Sequence, residues 1–213
     1  MQSFENAGAG GIVLAMAERI VENKAYLSEI DGKIGDGDHG VNMAKGFSMA
    51  AERLKGKNAS LAEAMEVLGS VLLSEIGGSM GPLYGMMFTE FSEAIAESGA
   101  IDAQTFSKML HAGLDGVASV GSAKVGDKTL MDTLVPAVET FDEQTAQGKD
   151  FDAALAALVT AAEAGRDSTK DLMAKIGRAS RLGERSIGVL DAGATSCALL
   201  LKELAEGVRT RLQ

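Results

Sequence analysis

Apolar residues return every three or four positions through eight separate stretches of this chain, and that period is the signature of amphipathic helices. Ile12, Val13, Met16, Ile20 and Val21 place a first helix over 8–27. Met43, Phe47, Ala50 and Leu54 carry a second, Leu61, Met65, Leu68 and Leu72 a third, and Leu83, Met86, Met87, Phe91 and Ile95 a fourth. Phe106, Met109, Leu110, Leu114 and Val117 mark a fifth; Leu130, Leu134, Val138 and Phe141 a sixth. Phe151, Leu155, Leu158, Val159 and Ala162 open a seventh that runs to Met173, and Ala198, Leu199, Leu201, Leu204 and Val208 supply the eighth. Ser60 with Glu63 has the form of a capping box, and Asp102 is placed to cap the fifth helix. No alternating strand pattern of useful length is present. Short links between successive helices predict an all-α, eight-helix antiparallel up-and-down barrel or bundle, and the length suits one domain over 1–213.

Glycine is the oddity in a helical chain, because it disfavours helix interiors. The 26 glycines are clustered rather than scattered. The links after the first, third, fifth and seventh helices contain Asp31–Gly40, Gly77–Pro82, Gly121–Thr129 and Ile176–Gly193. In an up-and-down array these four lie at one end. The other links are short and ordinary, and both chain termini join them at the opposite end. Such a one-sided distribution predicts a site at the glycine-rich rim.

Each link contributes different chemistry. Asp31, Asp36 and Asp38 are three carboxylates separated by glycines, which let the backbone turn so that they converge. Converging carboxylates repel unless a cation sits among them, and Mg2+ prefers such oxygen ligands with phosphate oxygens completing its shell. A solvated acidic turn is the plainer alternative. Gly77, Gly78 and Gly81 expose amides ahead of the fourth helix, where the helix dipole favours an anion. Lys128, Arg178, Arg181 and Arg185 are local cations in an otherwise acidic chain, although 178–185 also fits a solvated basic loop. Gly121 to Thr129 approaches a phosphate-loop pattern without matching it: Asp127 intervenes before Lys128, and no strand precedes. His39 suits a metal ligand, a base or a hydrogen-bonding group. His111, in mid-helix, reads as structural, and Met86 and Met87 as core.

A net charge of −10 argues against nucleic acid as a main partner. The single Cys197 rules out an internal disulfide and suits a reducing compartment. Neither a signal peptide nor a membrane span is apparent, so the cytoplasm is the expected location.

Four ordered motifs then carry a resemblance. Asp31 followed by Ile34-Gly-Asp-Gly-Asp-His-Gly-Val-Asn-Met43, Gly77-Gly-Ser-Met-Gly-Pro-Leu-Tyr-Gly85, Gly126-Asp-Lys-Thr-Leu-Met-Asp132, and Gly177-Arg-Ala-Ser-Arg-Leu-Gly-Glu-Arg-Ser-Ile-Gly188 with Asp191-Ala-Gly-Ala-Thr-Ser196 resemble the nucleotide-binding L subunits of dihydroxyacetone kinases. The resemblance spans essentially the whole chain. It implies an eight-helix barrel with ADP or ATP at one rim, and Asp31, Asp36 and Asp38 holding two Mg2+ ions. It further implies that His39 and Asn42 contact nucleotide or metal-bound phosphate. Ser79 and Met80 would line the phosphate turn, with Gly121, Leu130, Arg178, Asp191 and Gly193 completing the pocket. Two departures stand out: Ser79-Met80 where many relatives have Ala-Ser, and Ala192 where some have Pro. The family's sugar sits on a separate K subunit, and a phosphohistidine M subunit re-phosphorylates bound ADP in some members, while others consume ATP. The sequence leaves open which donor serves, which short sugar is phosphorylated, and whether the chain is instead a nucleotide-dependent sensor for a regulator.

Overall fold

Asn23 breaks the first expected helix in two. Its side-chain amide donates to the Arg19 carbonyl at 2.8 Å, and its backbone (φ −94°, ψ 8°) leaves the helical region. In the computed structural model, which describes residues 2–213, 8–27 is therefore not one helix but α1 (Gly11–Glu22) and the start of α2 (Lys24–Ile34). The others follow as α3 (His39–Leu54), α4 (Leu61–Glu75), α5 (Met80–Ile95), α6 (Ala103–Val120), α7 (Met131–Ala146), α8 (Phe151–Ser168) and α9 (Ala192–Arg209). The link before α9 contains two 3-10 segments, Thr169–Asp171 and Arg178–Ser186, the second kinked at Gly183. Two three-residue strands, β1 (Ser3–Glu5) and β2 (Ala100–Asp102), pair antiparallel with Phe4 opposite Ile101. One inward residue on each strand is too little alternation to read from sequence.

Eight of the nine α-helices among the described residues form a ring: α1 packs on α3, each later helix packs on the next, and α9 returns to α1. The α1–α9 seam also carries an Arg19–Glu203 ion pair at 2.6 Å. The ninth, α2, lies outside the ring against α3, α9 and the 178–186 segment. One continuous apolar core fills the ring, from Phe4 to Val208. Two aromatic clusters anchor it: Phe47, Phe88 and Phe91 edge to face, and Phe106, Phe141 and Phe151 with centroids 5.2–5.9 Å apart. Edge-to-face packing satisfies the ring quadrupoles and adds to area burial.

One end of the ring is stitched shut by Asn6. Its buried side chain donates to the Ile95 and Ser98 carbonyls, both at 2.9 Å, and accepts from the Ala62 amide at 3.1 Å. The termini meet there too, with Gln213 N–H donating to the Ser3 carbonyl. At the opposite end Arg178 pairs with Asp36, Lys128 reaches Thr169 and Val189, and Tyr84 reaches Gly193, which ties the glycine-rich links and the start of α5 together. No helix among the described residues is long and apolar enough to cross a membrane.

Candidate functional site

The last turn of α2 carries Asp31, which is therefore helical rather than part of a loop. The chain then reverses through Gly35–Asp38 into α3. The Gly35 amide donates to the Asp31 carbonyl at 2.5 Å, and the His39 amide to Asp31 Oδ2 at 3.2 Å. Any Cβ at Gly35 would collide with the Asp31 carboxylate, so glycine there leaves the carboxylate its place. Asp31, Asp36 and Asp38 each offer an oxygen within 4.8 Å of the others. Asp31 is half-buried, and Asp36 and Asp38 are exposed.

The electrostatics of the trio expose its internal repulsion. Partial desolvation, then the neighbouring Asp36 and Asp31 carboxylates, raise Asp38 above the ordinary carboxylate value. Desolvation pushes Asp36 upward as well, yet hydrogen bonding with Asp38 and the Arg178 guanidinium hold it below that value. Arg178 forms an ion pair with Asp36. Three hard oxygen donors with excess negative charge and an open face fit Mg2+. Beside them, Lys33, Ile34, Gly35, Asp36, Arg178, Arg181 and Leu182 line a shallow cavity of about 320 Å3.

A second element comes from the turn between α4 and α5. Ile76 leaves α4 extended, Gly78 takes φ +77°, and α5 begins at Met80 rather than at Leu83. Ser79 at the N-cap makes no side-chain cap bond, which leaves the leading amides of α5 free for an anion. Gly81 lets this turn tuck under α4, since a Cβ there would strike the Ile76 carbonyl. Ser79 is exposed while Met80 is buried, so Met80 can present only its backbone to a ligand.

The third and fourth links correct one expectation. Lys128 is not a surface cation: it is 2% exposed and adopts φ +64°. Its ammonium donates to the carbonyls of Thr169 (2.6 Å), Leu172 (3.1 Å) and Val189 (2.5 Å). Those three acceptors use every proton of the ammonium, leaving none for a phosphate. Lys128 thus pins 169–189, the segment carrying Arg178. Asp132 turns the preceding chain by accepting from the Gly126 and Thr129 amides at 2.6 and 2.8 Å. Leu130 is buried against Gly193, and Gly121 ends α6 beside Leu83 of α5. Arg181 and Arg185 are exposed.

Asp191 caps α9, accepting from the Ala194 amide at 2.7 Å. Burial pushes its carboxyl up to about 7; the Ala194 amide and Lys128 oppose that shift, and Asp132 and Asp31 add to it. His39 is the first residue of α3, and burial lowers its ring below the ordinary imidazole value against the pull of Asp31. Its Nε2 lies 2.9 Å from Ser196 Oγ, and Ser196 in turn lies 2.7 Å from the Tyr84 hydroxyl. Asn42 is half-buried one turn into α3. The structure therefore gathers Asp31, Asp36, Asp38, His39 and Arg178 directly, and ties them through Tyr84 and Ser196 to Gly193 and Leu130. Tyr84, Ser196 and Asp132 stand in the sequence motifs without a role of their own, and Thr169 lies outside them. A signal for Tyr84 existed: it is one of two tyrosines and sits within the Gly-Pro-Leu-Tyr-Gly motif.

Residues 33–206 match the DAK2 domain family. The chain belongs to that family. Among curated DAK2 relatives, the ADP-binding subunit DhaL of a PEP-dependent dihydroxyacetone kinase from Listeria innocua is 41% identical over 190 residues, covering 89% of this chain and 90% of the relative. The corresponding subunit of Escherichia coli K12 is 40% identical over 181 residues, covering 84% and 86%. A solved dihydroxyacetone kinase of C. freundii, in complex with AMP-PNP and Mg2+, superposes with a TM-score of 0.68 at 29% identity. The match covers 93% of this chain and 33% of that longer one.

Proposed function

We propose that this chain is the ADP- or ATP-binding subunit of a dihydroxyacetone-type kinase, acting as a single nucleotide-binding domain in the cytoplasm. The observation that carries the reading is the convergence of Asp31, Asp36 and Asp38 within 4.8 Å, at the same rim as the uncapped start of α5. Asp31, Asp36 and Asp38 would hold two Mg2+ ions, which would supply positive charge against the phosphates. Amides at Ser79 and Met80 would receive a phosphate, and Arg178 is positioned to exchange its Asp36 partner for one. His39, Asn42, Gly121, Leu130, Asp191 and Gly193 complete the nucleotide-facing rim. The chain's own residues supply charge and orientation, which is most of what phosphoryl transfer asks of a protein. The acceptor, dihydroxyacetone or a related short sugar, is held on a K subunit that docks at this rim. A phosphohistidine M subunit is a candidate donor to bound ADP.

Native mass spectrometry and calorimetry with ADP, with and without Mg2+, test the reading. ADP should bind only with Mg2+ and stabilise the fold by about 2.7 kcal/mol at a hundredfold excess over Kd. Adding the K subunit, the sugar and a phosphoryl donor should then yield a phosphate ester. Absence of Mg2+-dependent ADP uptake would overturn the assignment.

A further inference from the structure

Behind His39 lies a closed set of hydrogen-bond contacts. The Tyr84 hydroxyl is 3.0 Å from the Gly193 carbonyl and 2.7 Å from Ser196 Oγ. Ser196 Oγ is also 3.1 Å from that carbonyl and 2.9 Å from His39 Nε2. Tyr84 and Ser196 are buried, and each hydroxyl has a single proton to give. The carbonyl can only accept. If Ser196 donates to His39, the one remaining proton, on Tyr84, must serve three oxygen–oxygen contacts, and two of those stay without a proton. If His39 Nε2–H donates instead, Ser196 donates to Tyr84 and Tyr84 to Gly193. The single contact then left without a proton is the longest, at 3.1 Å. The second arrangement puts a proton in three of the four contacts rather than two, and close oxygen–oxygen contacts without a proton are unfavourable in a buried site. On the other side of the ring, Nδ1 has no hydrogen-bond partner among the described residues, and it is not sealed from the outside.

We propose that Tyr84 and Ser196 are positioning residues that hold His39 as its Nε2–H tautomer, so that its free Nδ1 meets a ligand as a hydrogen-bond acceptor. An unprotonated phosphate oxygen cannot be the partner of that lone pair. The partner class is an O–H donor, a water or a hydroxyl. Of the expected contacts of His39, with nucleotide or metal-bound phosphate, a direct one from Nδ1 to a phosphate oxygen is thereby removed, and phosphate binding falls to the α5 amides and Arg178. The tautomer itself follows from these four distances alone; only the nature of the Nδ1 partner rests on the metal-nucleotide reading.

Long-range 1H–15N spectra of the full chain labelled with 15N-histidine test this without turnover. The chain has two histidines, so His111→Gln assigns the spectrum. In the ligand-free protein, His39 should read as protonated at Nε2 and unprotonated at Nδ1. Ser196→Ala should give a mixture of tautomers and weaken Mg2+-dependent ADP binding by about 10- to 100-fold, the usual effect of removing the group that orients a site histidine. Should Ser196→Ala fail to fold, the wild-type spectrum carries the test, and Tyr84→Phe, which leaves Ser196 its Gly193 carbonyl as acceptor, should keep the Nε2–H form. A shift of Nδ1 on Mg2+ alone would put the O–H donor in the ion's hydration shell, and a shift only with Mg2+ and ADP would put it on the nucleotide. Nδ1–H in the wild type, an unchanged tautomer in a folded Ser196→Ala, or an Nδ1 unmoved by Mg-ADP would each overturn the proposal. Failure of the wild type to take up ADP at all would sink the kinase reading while leaving the tautomer measurement intact.

Discussion

Helices α4, α6 and α8 start at one end of the ring, each with a side chain folded over its first turn: Ser60 with Glu63, Asp102 and Asp150. Helices α3, α5 and α7 start at the other end, and none has a side-chain cap on its N-cap residue. The first end satisfies its own amides and carbonyls and adds the Asn6 hub. The second leaves the first amides of α5 without a side-chain partner and crowds three carboxylates together. A helix start left uncapped, as at α5, forgoes about 1 kcal/mol, and the contrast is not uniform, since Asp191 caps α9 on the same rim.

The largest expected effect separates the two ends outright. Asp36→Ala combined with Asp38→Ala should lower Mg2+-dependent ADP affinity by about 1,000-fold, roughly 4 kcal/mol, as read by calorimetry. The ligand-free melting temperature should hold or rise, because the repulsion that raises Asp38 is removed. A collapse of helical signal in that variant would mean the acidic turn is structural.

Asn6→Ala should do the reverse. Losing three buried side-chain hydrogen bonds should cost about 3 kcal/mol in urea unfolding, with ADP affinity per folded molecule unchanged. Lys128→Met breaks the symmetry of the comparison, because Lys128 is a stability element inside the binding end. It should cost about 2 kcal/mol by stranding the Thr169, Leu172 and Val189 carbonyls. It should also weaken ADP binding by releasing the segment that carries Arg178. Unchanged binding would confine Lys128 to the fold.

The smallest effects lie at the capped end. Ser60→Ala should cost about 1 kcal/mol. Asp102 is held below the usual carboxylate value by the Thr105 amide, and Asp152 by its hydrogen bond from Arg209. A carboxylate with a depressed folded pKa adds stability above its unfolded value and loses it as pH falls through the folded one. The chain should therefore weaken below about pH 4. Asp102→Asn should show a shallower loss between neutral and acid pH in urea midpoints, and an identical slope would assign the acid sensitivity elsewhere.

Much of this was legible in residues alone. Repeated apolar spacing located every helix of the ring, Ser60 and Glu63 form the capping box that their spacing announced, and four glycine-rich links do meet at one end. The failures share a cause. The Asn23 break, the early starts of α3 at His39 and α5 at Met80, and the three-residue strands rest on hydrogen bonds or contacts too local or too distant for periodicity to register. Lys128 was misread for the same reason, since its acceptors lie 41 to 61 residues away.

What the chain determined by itself was its helical period, its ring order and the kinds of atoms gathered at one rim, because side-chain spacing and glycine placement act locally. Only the tertiary structure decided which of those atoms remain free. Folding used Lys128 to hold the third and fourth links together and Asp132 to turn the third, set Tyr84 and Ser196 behind His39, and left Asp31, Asp36 and Asp38 clustered and the first amides of α5 without a side-chain cap. Burial and hydrogen-bond partnership belong to three-dimensional neighbours, so no reading along the sequence could have apportioned them.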